Sequence, residues 1–125
     1  MSKVVVIDDE PFMLMILEDR LKRAGLEVVA LRESAGAMDV IRRERPDLVI
    51  LDWMMPEVSG IELCRMLKSD PELEPIPVFM LTARSHNDDE RRGLKSGVKR
   101  YITKPFSLKA LVDLVLEEVG GKGGG

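Results

Sequence analysis

The stretch Leu48-Val49-Ile50-Leu51-Asp52 decides the fold of this 125-residue chain. Four branched aliphatic residues run without a polar break into a carboxylate, with Pro46-Asp47 before them and a proline-containing loop after. A short apolar run with such boundaries is typical of a β-strand that is buried on both faces of a parallel sheet. Asp52 then lies at the carboxyl end of the strand, where open α/β sheets bind their ligands. Taken alone, Asp52 also fits a turn or helix-capping aspartate.

Three further apolar runs end in polar side chains. They are residues 4–7 before Asp8 and Asp9, residues 76–81 before Thr82, and residues 101–103 before Lys104. The carboxyl ends of parallel strands meet at one edge of a sheet. If these strands are parallel neighbours, the three carboxylates of Asp8, Asp9 and Asp52, a hydroxyl and an amine therefore converge on one crevice.

Length and composition indicate a single globular domain, with 45% hydrophobic and 33% charged residues. With a net charge of −3, the chain lacks the excess of basic residues that is typical of a nucleic-acid-binding domain. We therefore predict that the domain does not bind nucleic acid directly. A single cysteine, Cys64, excludes an internal disulfide and suits a reducing compartment. No apolar run approaches the length of a membrane span, and no signal peptide precedes the first strand. We therefore expect a cytoplasmic location and no contact with a membrane.

Helical patterns alternate with the strand runs. Pro11 opens a first helix that stops at Gly25, and its apolar residues at helical spacing are Met13, Ile16, Leu17, Leu21 and Ala24. Leu14 and Met15 fall outside this stripe. A shorter second strand at residues 27–31 precedes a helix that Ser34 can cap and that runs to about Arg45.

Three further helices are predicted from capping residues, with starts at Ser59, at Asn87 or Asp88, and at Ser107. Ser59 and Glu62 have the spacing of a capping box, in which each side chain accepts a hydrogen bond from the other residue's backbone N–H group. The helix after Asp88 stops at Gly97 and has only a sparse apolar stripe. We expect it to be the least firmly anchored helix.

Five alternations of strand and helix predict an α/β fold, a five-stranded parallel sheet that is doubly wound with helices on both faces. The flavodoxin-like strand order 2-1-3-4-5 is predicted, in which the first and third strands flank the ligand crevice. These two strands end in Asp8-Asp9 and Asp52. Residues 1–119 form the predicted domain, and residues 120–125 are a flexible glycine-rich tail, either a linker stump or an engineered end.

The acidic cluster predicts a metal site. Three carboxylates within several ångströms of one another raise each other's pKa unless a cation compensates. Mg²⁺ prefers oxygen ligands and takes one or two carboxylates together with phosphate oxygens, which suits Asp8, Asp9 and Asp52. Zinc is disfavoured because the chain lacks the usual cysteine and histidine ligands.

The remaining strand-end groups fit phosphoryl transfer. Such transfer needs mainly positioning and charge neutralisation, and Lys104 and Thr82 together with the metal ion can supply both. A carboxylate must then accept the phosphoryl group as an acyl phosphate. Asp52 is the best candidate because it enters from the central strand, whereas Asp8 and Asp9 form a pair suited to hold the metal ion.

These residues resemble the receiver domain of two-component response regulators. The resemblance rests on Asp8-Asp9, Asp52, Thr82-Ala83 and Lys104-Pro105-Phe106, with Pro56 and Gly60 at the usual offsets from Asp52. It covers residues 3–119, and the full set in this order and spacing is very specific. The resemblance implies that Asp52 accepts a phosphoryl group from a histidine kinase or a histidine phosphotransfer protein. The domain would not be an enzyme with a separate substrate, since it would catalyse only its own phosphorylation and dephosphorylation.

The resemblance also implies roles for the surrounding residues. Asp9, Asp52 and the backbone carbonyl of Met54 would bind Mg²⁺, with Asp8 acting partly through water. Thr82 and Lys104 would hold the phosphoryl oxygens, and Lys104-Pro105 would be a cis peptide. Thr82 and Tyr101 would form the switch pair, in which the hydroxyl moves towards the phosphoryl group and the ring turns inward.

The partners implied by the resemblance act on a different surface. After phosphorylation of Asp52, the face formed by the fourth helix, the fifth strand and the last helix would control an output domain or a target protein. Whether phosphorylation also links two copies of the domain into a dimer stays open. On the first helix, the apolar residues Phe12, Leu14 and Met15 suggest a docking surface for the phosphodonor. Packing of Phe12 and Leu14 against neighbouring loops fits the sequence equally well. Met54, an apolar residue two positions after Asp52, cannot orient an attacking water and predicts slow loss of the phosphoryl group.

Three other classes of protein compete with the phosphoacceptor interpretation. A dehalogenase-type phosphatase would need Asp-x-Asp at one strand end, but the chain has Asp52-Trp53-Met54. A flavodoxin-like flavin carrier would need a loop rich in Ser, Thr and Gly after the first strand, where the chain has Asp8-Asp9-Glu10. An unphosphorylated receiver that serves only as an interaction module stays open, although every expected site residue is present.

Overall fold

The computed structural model of the chain describes residues 1–55, 57–83 and 97–120. The chain folds around a central parallel sheet. Its strands are β1 (Lys3–Ile7), β2 (Glu27–Leu31), β3 (Leu48–Asp52), β4 (Val78–Thr82) and β5 (Arg100–Thr103). Each pair of neighbours is parallel, and the strand order is β2-β1-β3-β4-β5. The predicted fold class and strand order are confirmed.

The helices of the described residues, numbered in chain order, are α1 (Pro11–Arg23), α2 (Ala37–Glu44), α3 (Gly60–Lys68) and α4 (Leu108–Gly120). The helix predicted from Asn87 or Asp88 falls on residues 84–96, outside the described residues. The C-terminal helix α4 includes Gly120, one residue past the predicted domain boundary, and residues 121–125 also lie outside the description. None of the described helices combines the length and apolar character needed to cross a bilayer.

The two faces of the sheet are covered by different helices, because successive strand residues point to opposite sides. One face packs against α2 and α3 through Val5, Ile7, Val49, Leu51, Val78 and Met80. The other face packs against α1 and α4 through Val4, Val6, Leu48, Ile50, Phe79 and Leu81. The central strands β1, β3 and β4 are therefore buried on both sides, which explains their uninterrupted apolar sequences.

Two of the predicted helix caps are present. The Ser59 hydroxyl accepts a hydrogen bond from the Glu62 N–H group at 3.3 Å, and the Ser107 hydroxyl accepts one from Ala110 at 3.1 Å. The prediction that Ser34 caps the second helix was wrong. Gly36 takes a left-handed conformation with φ of 76°, so the chain makes a further turn and α2 begins only at Ala37.

The inner face of α1 differs from the predicted stripe. Leu14, Leu17 and Leu21 are buried, whereas Met13 and Ile16 are only half-buried. Leu14 therefore belongs to the core and not to an exposed docking surface. The error has a simple cause: residues 12–17 are all apolar, so two overlapping helical stripes fit the same sequence. Phe12 and Met15 are exposed, as the docking hypothesis requires.

Gly60 allows the first turn of α3 to lie directly against the end of β3. Its N–H group donates to the carbonyl oxygen of Trp53 at 3.0 Å. A Cβ atom at this position would overlap the backbone carbonyl of Asp52 and would lie 2.9 Å from the Met80 sulfur. Glycine is thus required by close approach of the backbones, since φ at this position is not in the left-handed region.

We predict that Gly60→Ala lowers the free energy of unfolding by roughly 2–3 kcal/mol, because the backbone of Asp52 cannot move away as a flexible side chain would. Urea denaturation of both proteins measures this difference. Gly120→Ala is the matched control, since a Cβ there meets nothing within 4 Å, and its stability should equal or slightly exceed that of the wild type. Equal stability of Gly60→Ala and wild type would contradict the packing described here.

Candidate functional site

The acidic residues after β1 and β3 meet at the carboxyl edge of the sheet. Ile7 pairs with Leu51, so Asp8 and Asp52 follow at the same level on neighbouring strands. Carboxylate oxygens of Asp8, Asp9 and Asp52 all lie within 4.8 Å of one another. Asp8 is 1% exposed and Asp52 is 6% exposed, whereas Asp9 faces solvent. The predicted convergence of the three carboxylates is confirmed.

Lys104 brings a positive charge to the same pocket. Its Nζ atom lies 3.5 Å from Oδ1 of Asp52 and 3.9 Å from Oδ2 of Asp8. The backbone N–H group of Lys104 donates to the carbonyl of Thr82 at 2.6 Å, which ties the end of β5 to the end of β4. The Lys104-Pro105 peptide is cis, as the family resemblance implied. One amine therefore faces three carboxylates.

The pKa values of the two buried carboxyl groups reflect this imbalance. Burial, followed by the nearby charge of Asp8, raises the pKa of Asp52 to about 6, against the opposing effects of Lys104 and a hydrogen bond from the Met54 backbone. Burial also raises the pKa of Asp8, although a hydrogen bond from the Glu10 N–H group at 2.9 Å and the charge of Lys104 favour its ionised form. Both groups are costly to ionise in the metal-free protein.

One oxygen of the pocket fits a metal ion in particular. Oδ2 of Asp8 is fully buried and has no hydrogen-bond partner among the described residues. An ionised oxygen in that position is unfavourable unless a cation is close. The donor set consists of oxygen atoms only, which matches a hard divalent cation such as Mg²⁺. The residues present therefore fit the predicted metal.

The other predicted site residues occupy the same edge at different depths. Thr82 ends β4 and is completely buried one position beyond Leu81, the partner of Asp52. The side chain of Met54 is 58% exposed, while its backbone N–H group bonds to the Asp52 carboxylate. Tyr101 pairs with Met80 of β4 and is half-buried. It lies two residues before Thr103, the last residue of β5.

Sequence reasoning missed two contacts of the site. The first is the bond from the Glu10 N–H group to Asp8, which fixes one carboxylate oxygen. The second is an aromatic contact in which the rings of Trp53 and Tyr101 lie 5.7 Å apart at 80°. Trp53 is buried in the core cluster on the α3 side of the sheet. Its position directly after Asp52 was the one available signal, and the partner of its ring cannot be inferred from spacing.

The profile of the response regulator receiver domain family matches residues 4–116. This chain belongs to that family. The receiver domain is 42% identical over 112 residues to the phosphate regulon transcriptional regulatory protein PhoB of Rhizobium meliloti, with 90% of this chain and 49% of that protein covered. It is 34% identical over 119 residues to the polar-differentiation response regulator DivK of Brucella anthropi, with 95% and 97% covered.

Solved structures agree with this assignment. The receiver domain of a signal transduction histidine kinase from Syntrophus aciditrophicus superposes with a TM-score of 0.89 at 34% identity, covering 97% of this chain and 92% of that one. The receiver domain of the Francisella response regulator 1452 gives a TM-score of 0.90 at 29% identity, with 98% and 99% covered. The chain spans about half the length of the PhoB relatives but nearly all of DivK.

The raised pKa of Asp52 predicts that Asp52→Asn stabilises the metal-free domain at pH 8. The folded-state pKa of about 6 exceeds the ordinary 3.8, so the folded protein binds this proton more tightly and loses stability as pH rises from about 4 to about 6. At about 1.4 kcal/mol per pH unit, the variant should be roughly 2–3 kcal/mol more stable than the wild type at pH 8. Urea denaturation in a chelating buffer measures the difference.

The same comparison at pH 3 should show almost no difference, since the carboxyl group is then mostly protonated in both the folded and the unfolded states. Asp113→Asn, a change at an exposed position on α4, is the matched control and should change stability by less than about 0.5 kcal/mol at either pH. Equal stabilities of Asp52→Asn and wild type at pH 8 would show that the carboxylate pocket is not strained.

Proposed function

We propose that Asp52 of this receiver domain accepts a phosphoryl group from a phosphohistidine of a histidine kinase or a histidine phosphotransfer protein. The observation that carries the proposal is the position of the buried Asp52 carboxylate, 3.5 Å from the Lys104 amine and beside the orphaned oxygen of Asp8. This arrangement combines a nucleophile, a positive charge and a place for a cation. PhoB and DivK, by their names, are regulators of the same kind.

In the proposed step, an oxygen of Asp52 forms a bond to phosphorus as the bond from phosphorus to the histidine nitrogen breaks. The products are an acyl phosphate and a neutral imidazole. The electron pair of the broken bond stays on the leaving nitrogen, and the other ring nitrogen of the donor histidine carries the proton. Asp52 must be ionised to attack. With a pKa of about 6 it is mainly ionised at neutral pH, and it is more basic than an ordinary carboxylate.

The neighbouring residues hold the transferred group. Lys104 and the Thr82 hydroxyl would bind phosphoryl oxygens, since both lie at the strand ends beside Asp52. Asp9, Asp52 and the backbone carbonyl of Met54 would hold Mg²⁺, with Asp8 acting partly through water. The bound ion would supply charge neutralisation for the carboxylates and the phosphoryl oxygens. The domain would thus promote only its own phosphorylation and dephosphorylation, without a separate substrate.

The signal would leave through the Thr82 and Tyr101 pair. The hydroxyl of Thr82 would move towards the phosphoryl group and the Tyr101 ring would turn inward, which changes the surface at β5 and α4. An output domain or a target protein would read this surface, and a phosphorylation-linked dimer would form there. A cytoplasmic location belongs to the same proposal. Phe12 and Met15, exposed on α1, are the proposed docking residues for the phosphodonor.

The first experiment is intact-mass measurement after incubation with acetyl phosphate and Mg²⁺. We expect one phosphoryl group on the wild type, and none on Asp52→Asn or in a chelating buffer, because both the nucleophile and the metal are needed. Asp113→Asn serves as the matched control and should be modified like the wild type. Fluorescence of Trp53, the single tryptophan, reports Mg²⁺ binding in parallel. If no adduct forms and the Trp53 fluorescence does not change on addition of Mg²⁺, the proposal is wrong and the domain acts as an unphosphorylated interaction module.

Met54 predicts the lifetime of the phosphorylated state. An apolar side chain beside Asp52 offers no hydrogen bond to an attacking water, so we expect phosphoryl loss to take minutes or longer. Met54→Asn supplies an amide that can hold the water. One such hydrogen bond, worth about 1 kcal/mol, should speed hydrolysis roughly fivefold. Met54→Leu is the control and should keep the wild-type rate. Loss from the wild type within seconds would refute the prediction, and so would equal rates in the two variants.

A further inference from the structure

The rings of Trp53 and Tyr101 form an edge-to-face pair beside the phosphoacceptor. Their centroids lie 5.7 Å apart and their planes meet at 80°, a favoured geometry for two aromatic rings. Trp53 is 4% exposed, whereas Tyr101 is half-buried. The more mobile of the two side chains therefore rests against the more restricted one. Any movement of the indole changes the surface on which the tyrosine packs.

The backbone of Trp53 is tied to the site on two sides. Its N–H group donates to the carbonyl of Leu81 at 2.9 Å, and its own carbonyl accepts the N–H group of Gly60 at 3.0 Å. Leu81 directly precedes Thr82, and Trp53 itself directly follows Asp52. A displacement at either strand end is thus passed to the indole through hydrogen bonds as well as through the chain.

Tyr101 lies on the least enclosed strand of the sheet. β5 is an edge strand that pairs with β4 alone in the described sheet, and its residues are half-buried or exposed. The Tyr101 ring belongs to the packing on the α3 side of the sheet, the same cluster that contains Trp53. The pair therefore connects the buried Asp52 strand with the exposed side of the sheet.

We infer that Trp53 is a positioning residue for Tyr101, which holds the ring half-buried and carries changes at Asp52 to β5. The positioning of the Tyr101 ring is a property of the resting protein and rests on the geometry alone. The transmission of changes from Asp52 to β5 rests on the proposed function, because it requires Asp52 to become phosphorylated. The two parts are tested separately, so a failure of one is distinguishable from a failure of the other.

Tyr101 is the single tyrosine of the chain, so incorporation of 3-fluorotyrosine gives one ¹⁹F resonance. In the first experiment, NMR spectra of unphosphorylated wild type, Trp53→Phe and Trp53→Leu are compared. We expect Trp53→Leu to shift the resonance towards that of the unfolded chain, and Trp53→Phe to stay close to the wild type because it keeps an aromatic edge. Circular dichroism establishes that each variant is folded.

Leu73→Ala is the matched control. Leu73 is buried in the same cluster but precedes β4, at the opposite end of the strands from Asp52. Its truncation should lower stability and leave the ¹⁹F resonance unchanged. The inference is overturned if Trp53→Leu and wild type share one resonance position, or if Leu73→Ala shifts the resonance as much as Trp53→Leu does, since the effect would then report only loosened packing.

In the second experiment, the same proteins are phosphorylated with acetyl phosphate and Mg²⁺, and intact mass confirms the adduct. We expect phosphorylation to move the resonance in the wild type and in Trp53→Phe, and the movement to fall by more than half in Trp53→Leu at equal phosphorylation. A full movement in phosphorylated Trp53→Leu would overturn the coupling role. Absence of an adduct on the wild type would instead overturn the proposed function, and the first experiment would still decide the resting position of Tyr101.

Discussion

Repulsion among the carboxylates of Asp8, Asp9 and Asp52 is the constraint on which the rest of this domain depends. Their oxygens lie within 4.8 Å of one another, two of the three residues are buried, and among the described residues the amine of Lys104 is the one cation beside them. Such a group of charges separates unless the surrounding chain holds it together. The sheet holds the group together, because Asp8 directly follows β1 and Asp52 ends β3, and the apolar residues of both strands are buried.

The same constraint explains the local details around the pocket. Gly60 permits α3 to lie against the backbone of Asp52, and the Ser59 cap fixes where that helix begins. The hydrogen bond from the Glu10 N–H group orients Asp8, but its second oxygen stays without a donor among the described residues. The excess of negative charge in the pocket lowers the stability of the fold, and a divalent cation would balance it.

Most of the fold was predictable from the sequence because the signals were local and unambiguous. The buried strands appear as continuous apolar runs, and the residues that follow them could be assigned to one edge once parallel pairing was accepted. Asp8, Asp9, Asp52 and Lys104 were therefore placed correctly. Errors arose where two interpretations fitted the sequence equally well. The burial of Leu14 was missed because it lies in an all-apolar segment, and Ser34 was taken as a helix cap although it lies two residues before a left-handed glycine. The contact between Trp53 and Tyr101 depends on side-chain orientation between distant strands, which no sequence period encodes.

The position of each strand within the sheet has a consequence for motion. β1 and β3 have hydrogen-bonded neighbours on both sides, whereas β5 has a neighbour on one side only. Backbone amides in doubly flanked, buried strands open only with the whole fold, while those of a short edge strand open in small local fluctuations. Amide hydrogen exchange should therefore be slower in β1 and β3 than in β5. The acidic pocket lies on the enclosed strands of the sheet, whereas Tyr101 lies on an edge strand.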